Sequence, residues 1–236
     1  MTGPVSTKGV TLAVSGVIAV LASLLTGCGS QVPGQPVAVK QTAVTRYVSA
    51  GLGTLLPDPS QFPARYPAVV LPPEAAAQAA GDLTGVPRGA TVRPRECAPP
   101  QQGFGPDETA VTVGTDNENR ATLTVELTRT TQPLSALREQ LARCGEMRVT
   151  GSGTTTTVRT ELQDRPRVDA DDALALRRTV LPDTGRAGLT QSMQTRTAQV
   201  EDVRITVTYM TFSDAEPDAA ALEEIFSSAV EKVRAA

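Results

Sequence analysis

Histidine is absent from this chain of 236 residues, and so is tryptophan. Without histidine the chain cannot build a Ser-His-Asp or Cys-His catalytic centre, a histidine metal site or an imidazole pH switch. Aromatic residues make up 3% of the sequence, too few for a platform that stacks nucleotide bases or sugar rings. The formal net charge is −3, so the composition predicts no attraction to nucleic acid.

The first segment has the features of a secretory signal, which we predict over residues 1–27. An uncharged, mostly apolar run extends from Gly9 to Leu25, and Leu25-Thr26-Gly27-Cys28 follows directly. This tetrapeptide resembles the bacterial lipobox. The resemblance implies cleavage before Cys28, acylation of that residue with diacylglycerol and a fatty acid such as palmitate, and a membrane anchor. An uncleaved membrane helix is the alternative, although the run is at the short end of the roughly 17–25 residues that a span needs.

The mature chain is predicted to consist of an acylated tether, residues 28–50, and a single α+β domain, residues 51–236. The tether begins with a stretch of Gly, Pro, Gln and Val that carries one charge, Lys40. Prolines recur from Leu55 to Pro73, which predicts an extended segment along a surface. Arginine far outnumbers lysine, and alanine and threonine are abundant. This usage is typical of actinobacteria.

The domain sequence predicts a mostly antiparallel sheet packed by a mid-chain helix and a C-terminal amphipathic helix. The mid-chain helix should run from Pro133 to Cys144, with Leu134, Leu137, Leu141 and Cys144 on one buried face. A shorter helix is predicted from Pro72 to Ala80, ended by Gly81, and the C-terminal helix carries its apolar stripe over Leu222–Val233, with Asp214, Glu216 and Asp218 near its start. Strands are predicted at Thr91–Cys97, Thr109–Thr115, Ala121–Thr128, Met147–Thr150, Thr154–Glu161, Ala173–Val180, Leu189–Gln199 and Val203–Phe212.

Residues 121–128 alternate strictly between apolar and polar, which predicts one buried and one solvent-facing side of that strand. With the preceding strand and the turn Asp116-Asn117-Glu118-Asn119 they should form a β-hairpin. Residues 173–180 are ambiguous, because their leucines alternate as in a strand while their composition also suits a helix.

Cys97 and Cys144 are the two cysteines left for the folded domain. In an oxidising compartment such a pair indicates a disulfide, which by the chain-entropy model would contribute about 4 kcal/mol. The alternative is a thiol metal site. Two cysteines without histidine would need carboxylates to complete a zinc shell, and we therefore predict a disulfide and no metal.

Catalytic motifs are missing from the sequence. It contains no P-loop, no Ser-x-x-Lys motif and no Gly-x-Ser-x-Gly elbow. The densest acidic cluster, Asp169, Asp171 and Asp172, fails the calcium-loop template, because Leu174 and Val180 stand where glycine and glutamate are needed. We therefore predict no catalytic residue and no cofactor, while a pair of carboxylates for glycoside hydrolysis stays an open alternative.

The arginines allow two interpretations. Arg88, Arg93 and Arg95 precede Cys97, and Arg177 and Arg178 follow the acidic cluster. Surface ion pairs with the 25 acidic residues are the favoured interpretation. The alternative is a cleft that binds an anionic ligand, since arginine is the usual partner of carboxylates and phosphates.

Residues 85–236 resemble mycobacterial-type envelope lipoproteins related to the extracellular sensor domain of PknH-type receptor kinases. The features that carry the resemblance are Cys97 and Cys144 around a hairpin and helix, the stretch 172–178, the strand 203–207 and the helix 222–233. The resemblance implies an α+β fold with a sheet-lined cleft and a role in ligand sensing or partner binding. The kinase sensor carries two disulfides, whereas this chain can form one.

The resulting hypothesis is a lipid-anchored, non-enzymatic, sensor-like binding lipoprotein at the outer face of the cell membrane. Its ligand or protein partner is not identified by the sequence. The first alternative is a carrier of lipid or another apolar envelope component, which would require a deep apolar cavity. The second alternative is a carboxylate-based hydrolase.

Overall fold

One antiparallel sheet organises the chain in this computed structural model, which describes residues 43–183, 190–212 and 216–236. Its strands follow one another in space as β1-β3-β4-β9-β8-β7-β6-β5-β2, and each neighbouring pair is antiparallel. In chain order the strands are β1 (Ala68–Val70), β2 (Thr91–Arg93), β3 (Thr109–Asp116), β4 (Ala121–Arg129), β5 (Glu146–Gly151), β6 (Thr154–Gln163), β7 (Asp172–Pro182), β8 (Gln191–Val200) and β9 (Val203–Thr211).

Four α-helices accompany the sheet in the described residues: α1 (Leu52–Leu55), α2 (Pro73–Thr84), α3 (Leu134–Arg143) and α4 (Ala219–Arg234). Short 3-10 turns lie at Pro59–Gln61 and Arg95–Cys97. The predicted α+β class, the antiparallel sheet, the mid-chain helix and the C-terminal helix are confirmed. The segment 173–180 is a strand, and Asp218 accepts a hydrogen bond from the amide of Ala221 as the N-cap of α4.

Two predicted boundaries are wrong. Helix α2 passes through Gly81 and ends at Gly85, whose φ of 70° gives the left-handed conformation that closes a helix. Strand β2 ends at Arg93 instead of Cys97, because the next residue, Pro94, has no N–H for the ladder. The proline-rich stretch 55–73 also contains the edge strand β1, which pairs with β3 and which the sequence did not reveal.

The first face of the sheet carries the main core. The apolar residues of β4 and β9 point to this side because strand side chains alternate, and α4 packs across β4, β8 and β9. Leu222, Ile225 and Phe226 of α4 are at most 1% exposed. The segment between α1 and β1 crosses the same face very closely. A Cβ at Gly114 would lie 2.8 Å from the Phe62 ring and 2.9 Å from the Tyr66 carbonyl oxygen, so only glycine fits there.

Residues before α1 are held against the sheet by a buried carboxylate. Asp202, which is 2% exposed, accepts the Val48 amide at 2.8 Å and the Arg129 guanidinium at 2.7 Å. Arg129 also donates to the Ala50 carbonyl oxygen at 2.7 Å. The part of the predicted tether nearest the domain, Val44 to Ala50, therefore packs on the domain itself, and both Val44 and Val48 are buried.

The second face of the sheet is covered by α2, α3 and the disulfide. Cys97 and Cys144 are bonded to each other, with their Cα atoms 5.5 Å apart, which confirms the predicted pairing. The disulfide belongs to a small apolar cluster with Val92, Met147 and Val158. It fixes the C-terminal end of α3 next to the short strands β2 and β5.

We expect the double variant Cys97→Ala/Cys144→Ala to lose about 2–5 kcal/mol of unfolding free energy, the usual effect of removing a disulfide from a small secreted domain. Urea unfolding of the variant and the wild type would measure this loss. The wild type in reductant is the control and should shift to the same midpoint. An unchanged midpoint in the variant would show that the α2–α3 face does not depend on the bond.

Candidate binding cleft

A cleft of about 380 Å³ opens on the second face of the sheet, between α2, α3 and the loop 98–108. Its floor consists of the side chains of β4, β9, β8 and β7 that point away from the main core. On β9 these are Arg204, Thr206 and Thr208, because Val203, Ile205 and Val207 occupy the other side. The same two-residue alternation that builds the apolar core therefore builds a polar floor.

Threonines in register across neighbouring strands form much of this floor. Thr206 of β9 lies opposite Thr197 of β8, and Thr208 lies opposite Thr195. The hydroxyls of Thr195 and Thr208 are 3.0 Å apart and hydrogen-bonded. The predicted solvent-facing side of β4 is wrong in this region: Glu126 is only 9% exposed, and Gln102 of the loop 98–108 binds its carboxylate.

Apolar side chains form the wall of the cleft. Leu137 and Leu141 of α3 line it and are half-buried, although the sequence predicts them on a fully buried helix face. Leu134 and Cys144, at the two ends of that face, are buried as predicted. The wall is completed by Leu83, Met147, Leu176 and the disulfide. Helix α3 therefore faces an open space along part of its apolar stripe.

An ion pair fixes α3 above the floor. The Arg138 guanidinium donates to both carboxylate oxygens of Asp172, at 2.9 and 3.1 Å, and to the Ala173 carbonyl oxygen at 2.8 Å. Two-point contacts of this kind set orientation as well as distance. The other members of the predicted acidic cluster are also paired, Asp169 with Arg234 and Asp171 with Arg46. All three carboxylates lie outside the cleft lining.

Arg178 reaches the cleft from β7. Its Nη1 donates to the Leu83 carbonyl oxygen at 2.7 Å and its Nε to the Thr160 hydroxyl at 3.2 Å. Among the described residues no carboxylate lies within salt-bridge distance of it. Burial lowers the pKa of Arg178 to about 10, so the guanidinium is still charged at neutral pH. Surface ion pairing, the favoured interpretation of the arginines, therefore does not describe Arg178.

The remaining predicted arginines lie elsewhere. Arg177 is exposed on the opposite face of β7, as strand alternation requires, and Arg88, Arg93 and Arg95 are exposed outside the cleft lining. The sequence pointed to an arginine pair without indicating which member faces the cavity.

Glu126 and Arg204 stand at the other end of the floor. Glu126 accepts a hydrogen bond from the Gln102 amide, and burial raises the pKa of its carboxyl group. Arg204 donates to the Gln132 carbonyl oxygen at 2.7 Å and to the Gln199 side chain at 3.3 Å. Burial lowers the pKa of Arg204 to about 10, and the charge of Glu126 opposes this shift. Neither Glu126 nor Arg204 was singled out by the sequence, where each is one polar residue among alternating threonines.

A second carboxylate, Glu108, lines the rim of the same cleft. It is exposed and accepts the Gly105 amide at 3.0 Å, within its own loop. The carboxylate pair of the hydrolase alternative would therefore be Glu108 and Glu126. Each of them already has a partner that belongs to the fold.

Cys28, the predicted lipidation site, lies outside the described residues, as does Asp214. Within the described ranges, no helix is both long enough and apolar enough to cross a membrane. The same ranges contain no group of three or more Cys, Asp or Glu side chains placed to hold a metal ion.

No protein-family model matches this chain, and no curated protein matches it. Solved structures that are similar to it include two mycobacterial proteins. One is an uncharacterised protein from Mycobacterium smegmatis, the Rv0999 ortholog, at 19% identity and a TM-score of 0.43, covering 74% of this chain and 92% of that one. The other is the extracellular domain of PknH from Mycobacterium tuberculosis, at 11% identity and a TM-score of 0.43, covering 78% and 100%. The resemblance to a PknH-type sensor domain is thus found among solved structures as well.

We expect Glu126→Gln to raise the thermal unfolding temperature at pH 7.5 and to lose this advantage as the pH falls to 4.5. The pKa of Glu126 is raised in the folded state, so the native protein holds a proton there at a pH where the unfolded chain has lost it. At a pH where the buried Glu126 is charged, its carboxylate therefore destabilises the folded state. This destabilisation disappears as the pH falls and the carboxyl group is protonated. Thermal unfolding followed by circular dichroism would measure the difference.

Glu224→Gln on the exposed side of α4 is the matched control and should show no such pH dependence. A Glu126→Gln protein that is less stable than the wild type at pH 7.5 would contradict the expectation.

Proposed function

We propose that this protein is a lipid-anchored, extracytoplasmic binding lipoprotein with a sensor-like domain, and that its ligand occupies the cleft between α2, α3 and the sheet. The observation that carries the proposal is the cleft itself, with apolar walls and a few charged groups that converge on its floor. Ligand sites in proteins have about 300–1,000 Å³ and this kind of lining. The cleft, at about 380 Å³, is of a size for one small molecule or one side-chain-sized part of a partner.

The location rests on two features. The lipobox-like Leu25-Thr26-Gly27-Cys28 implies export and acylation of Cys28. The Cys97–Cys144 disulfide supports an oxidising compartment, because such bonds persist mainly in exported proteins. We therefore place the domain on the outer face of the cell membrane, held by the acyl chains of Cys28.

A binding role without catalysis is favoured over both alternatives. An apolar carrier would have to bury acyl chains against Glu126, Arg178 and the threonines, which would leave these polar groups without water or a partner. A hydrolase would need two carboxylates that are available to the substrate. Glu126 is instead engaged by Gln102, and Glu108 by its own loop.

We expect small-molecule fragments to bind in the cleft, and nuclear magnetic resonance can locate them. The mature, acylated protein in lipid nanodiscs would be labelled with ¹⁵N and titrated with a library of neutral, anionic and cationic fragments. Amide shifts should concentrate on residues that line the cleft, such as Thr160, Thr197 and Thr206.

Thr206→Phe should fill the cleft and abolish these shifts. Thr150→Phe is the matched control, since it makes the same change at an exposed position on the other side of the sheet, and it should leave them intact. Shifts that scatter over the surface, or that survive Thr206→Phe, would reject the cleft as the binding site.

Cys28→Ala should release the protein from the membrane fraction, because the thiol that takes the lipid is gone. Metabolic labelling with a clickable fatty acid and detergent phase partitioning would measure both acylation and release. A membrane-bound Cys28→Ala protein with unchanged processing would show that acylation is not the anchor.

A further inference from the structure

The charges that line the cleft are unequally compensated. Five charged residues contribute to the lining: Glu108, Glu126, Arg129, Arg178 and Arg204. Arg129 is paired with Asp202 at 2.7 Å. Within the described part of the chain Arg204 has no carboxylate within salt-bridge distance, but the charge of Glu126 acts on it and favours its charged form. Glu108 stands exposed at the rim. Among the described residues, Arg178 is therefore the one cation of the cleft that has neither a carboxylate within salt-bridge distance nor a neighbouring anion acting on its charge.

The guanidinium of Arg178 is held in place by two hydrogen bonds and has a further donor atom available. Its Nη1 and Nε atoms donate to Leu83 and Thr160, which fixes the plane of the group. Its Nη2 atom donates to no described residue. A fixed guanidinium with a remaining edge matches the two oxygens of a carboxylate, and contacts of this type are among the strongest hydrogen bonds in proteins.

Apolar side chains line the same cleft as this cation. Leu176 precedes Arg178 by two residues and therefore shares its face of β7. The cleft is also lined by Met147, Leu141 and Leu83, and the carbonyl oxygen of Leu83 accepts the hydrogen bond from Arg178. A ligand whose anionic group meets Arg178 would rest the remainder of its body on these side chains.

We propose that the cleft recognises a carboxylate on a small ligand with an apolar body, and that Arg178 is the residue that pairs with this carboxylate. The inference rests on the proposed function and adds the chemical class of the ligand. One uncompensated positive charge matches a monoanion. A phosphate monoester, with nearly two charges at neutral pH, would bring one charge more than the cleft can balance.

The test compares probes that share a phenylpropyl body, on the mature, acylated protein in nanodiscs, with empty nanodiscs as the blank. The probes are 4-phenylbutanoate, its neutral amide 4-phenylbutanamide, and 3-phenylpropyl phosphate. Binding to the wild type would be measured by titration of amide shifts at Thr160 and Thr195. We expect the carboxylate to bind about tenfold more tightly than the amide, and more tightly than the phosphate.

Arg178→Gln removes the charge but keeps a hydrogen-bond donor, and should bring the carboxylate-to-amide affinity ratio to about one. The adjacent Arg177→Gln is the matched control, because Arg177 lies exposed on the opposite face, and it should keep the wild-type ratio. The comparison of probes on the wild type decides the charge preference even where Arg178→Gln does not fold.

The outcomes separate the two proposals. Equal binding of the carboxylate and the amide within the cleft would overturn the carboxylate inference and leave the cleft as a binding site. Tighter binding of the phosphate would also overturn it. Carboxylate binding that centres on Gln102 or persists in Arg178→Gln would reject the role of Arg178. Probe shifts located away from the cleft would reject the proposed function as well.

Discussion

The two-residue alternation of β4 and β9 is the constraint on which the rest of the fold depends. It places four apolar side chains on one side of the sheet, where α4 covers them and they are fully buried: Leu123, Val125, Ile205 and Val207. The other side receives threonines and charged residues at the same spacing. A helix cannot pack closely on this polar side, because buried hydroxyls and charges would then need hydrogen-bond partners. The sheet therefore has one closed face and one face that is only partly covered.

The partly covered face is maintained by specific bonds. The disulfide fixes one end of α3, and the two-point contact between Arg138 and Asp172 fixes its side. Because α3 is held at these points, its position does not depend on contacts of Leu137 and Leu141 with the sheet. The space between these two leucines and the floor forms the cleft. A cleft that is open before the ligand arrives avoids the cost of ordering its walls on binding.

Sequence periodicity predicted the elements well and the cleft poorly, for one physical reason. Strands β4 and β9 and helix α4 are recognisable because their pattern is local, and Cys97 could be paired with Cys144 because no other cysteine of the domain competes. The role of Arg178 depends instead on the register of β7 with β6, which places it opposite Thr160. A shift of one residue would have turned Arg177 to the cleft in its place. The same holds for Glu126. The alternation of β4 predicts that its side chain points away from the main core, but it does not predict that a distant loop covers it.

Arg129 connects β4 with residues 44–50, the part of the predicted tether that packs on the domain. The residue contributes to the cleft lining, while its side chain, on the core side of β4, binds Asp202 and the Ala50 carbonyl oxygen. Asp202 in turn holds the Val48 amide. Removal of one member of a buried ion pair leaves the other charge without compensation, so these contacts are expected to persist together or break together. Residues 44–50 are therefore fixed to the domain through a residue of β4 that also contributes to the cleft lining, and their position relative to the cleft is set by the fold.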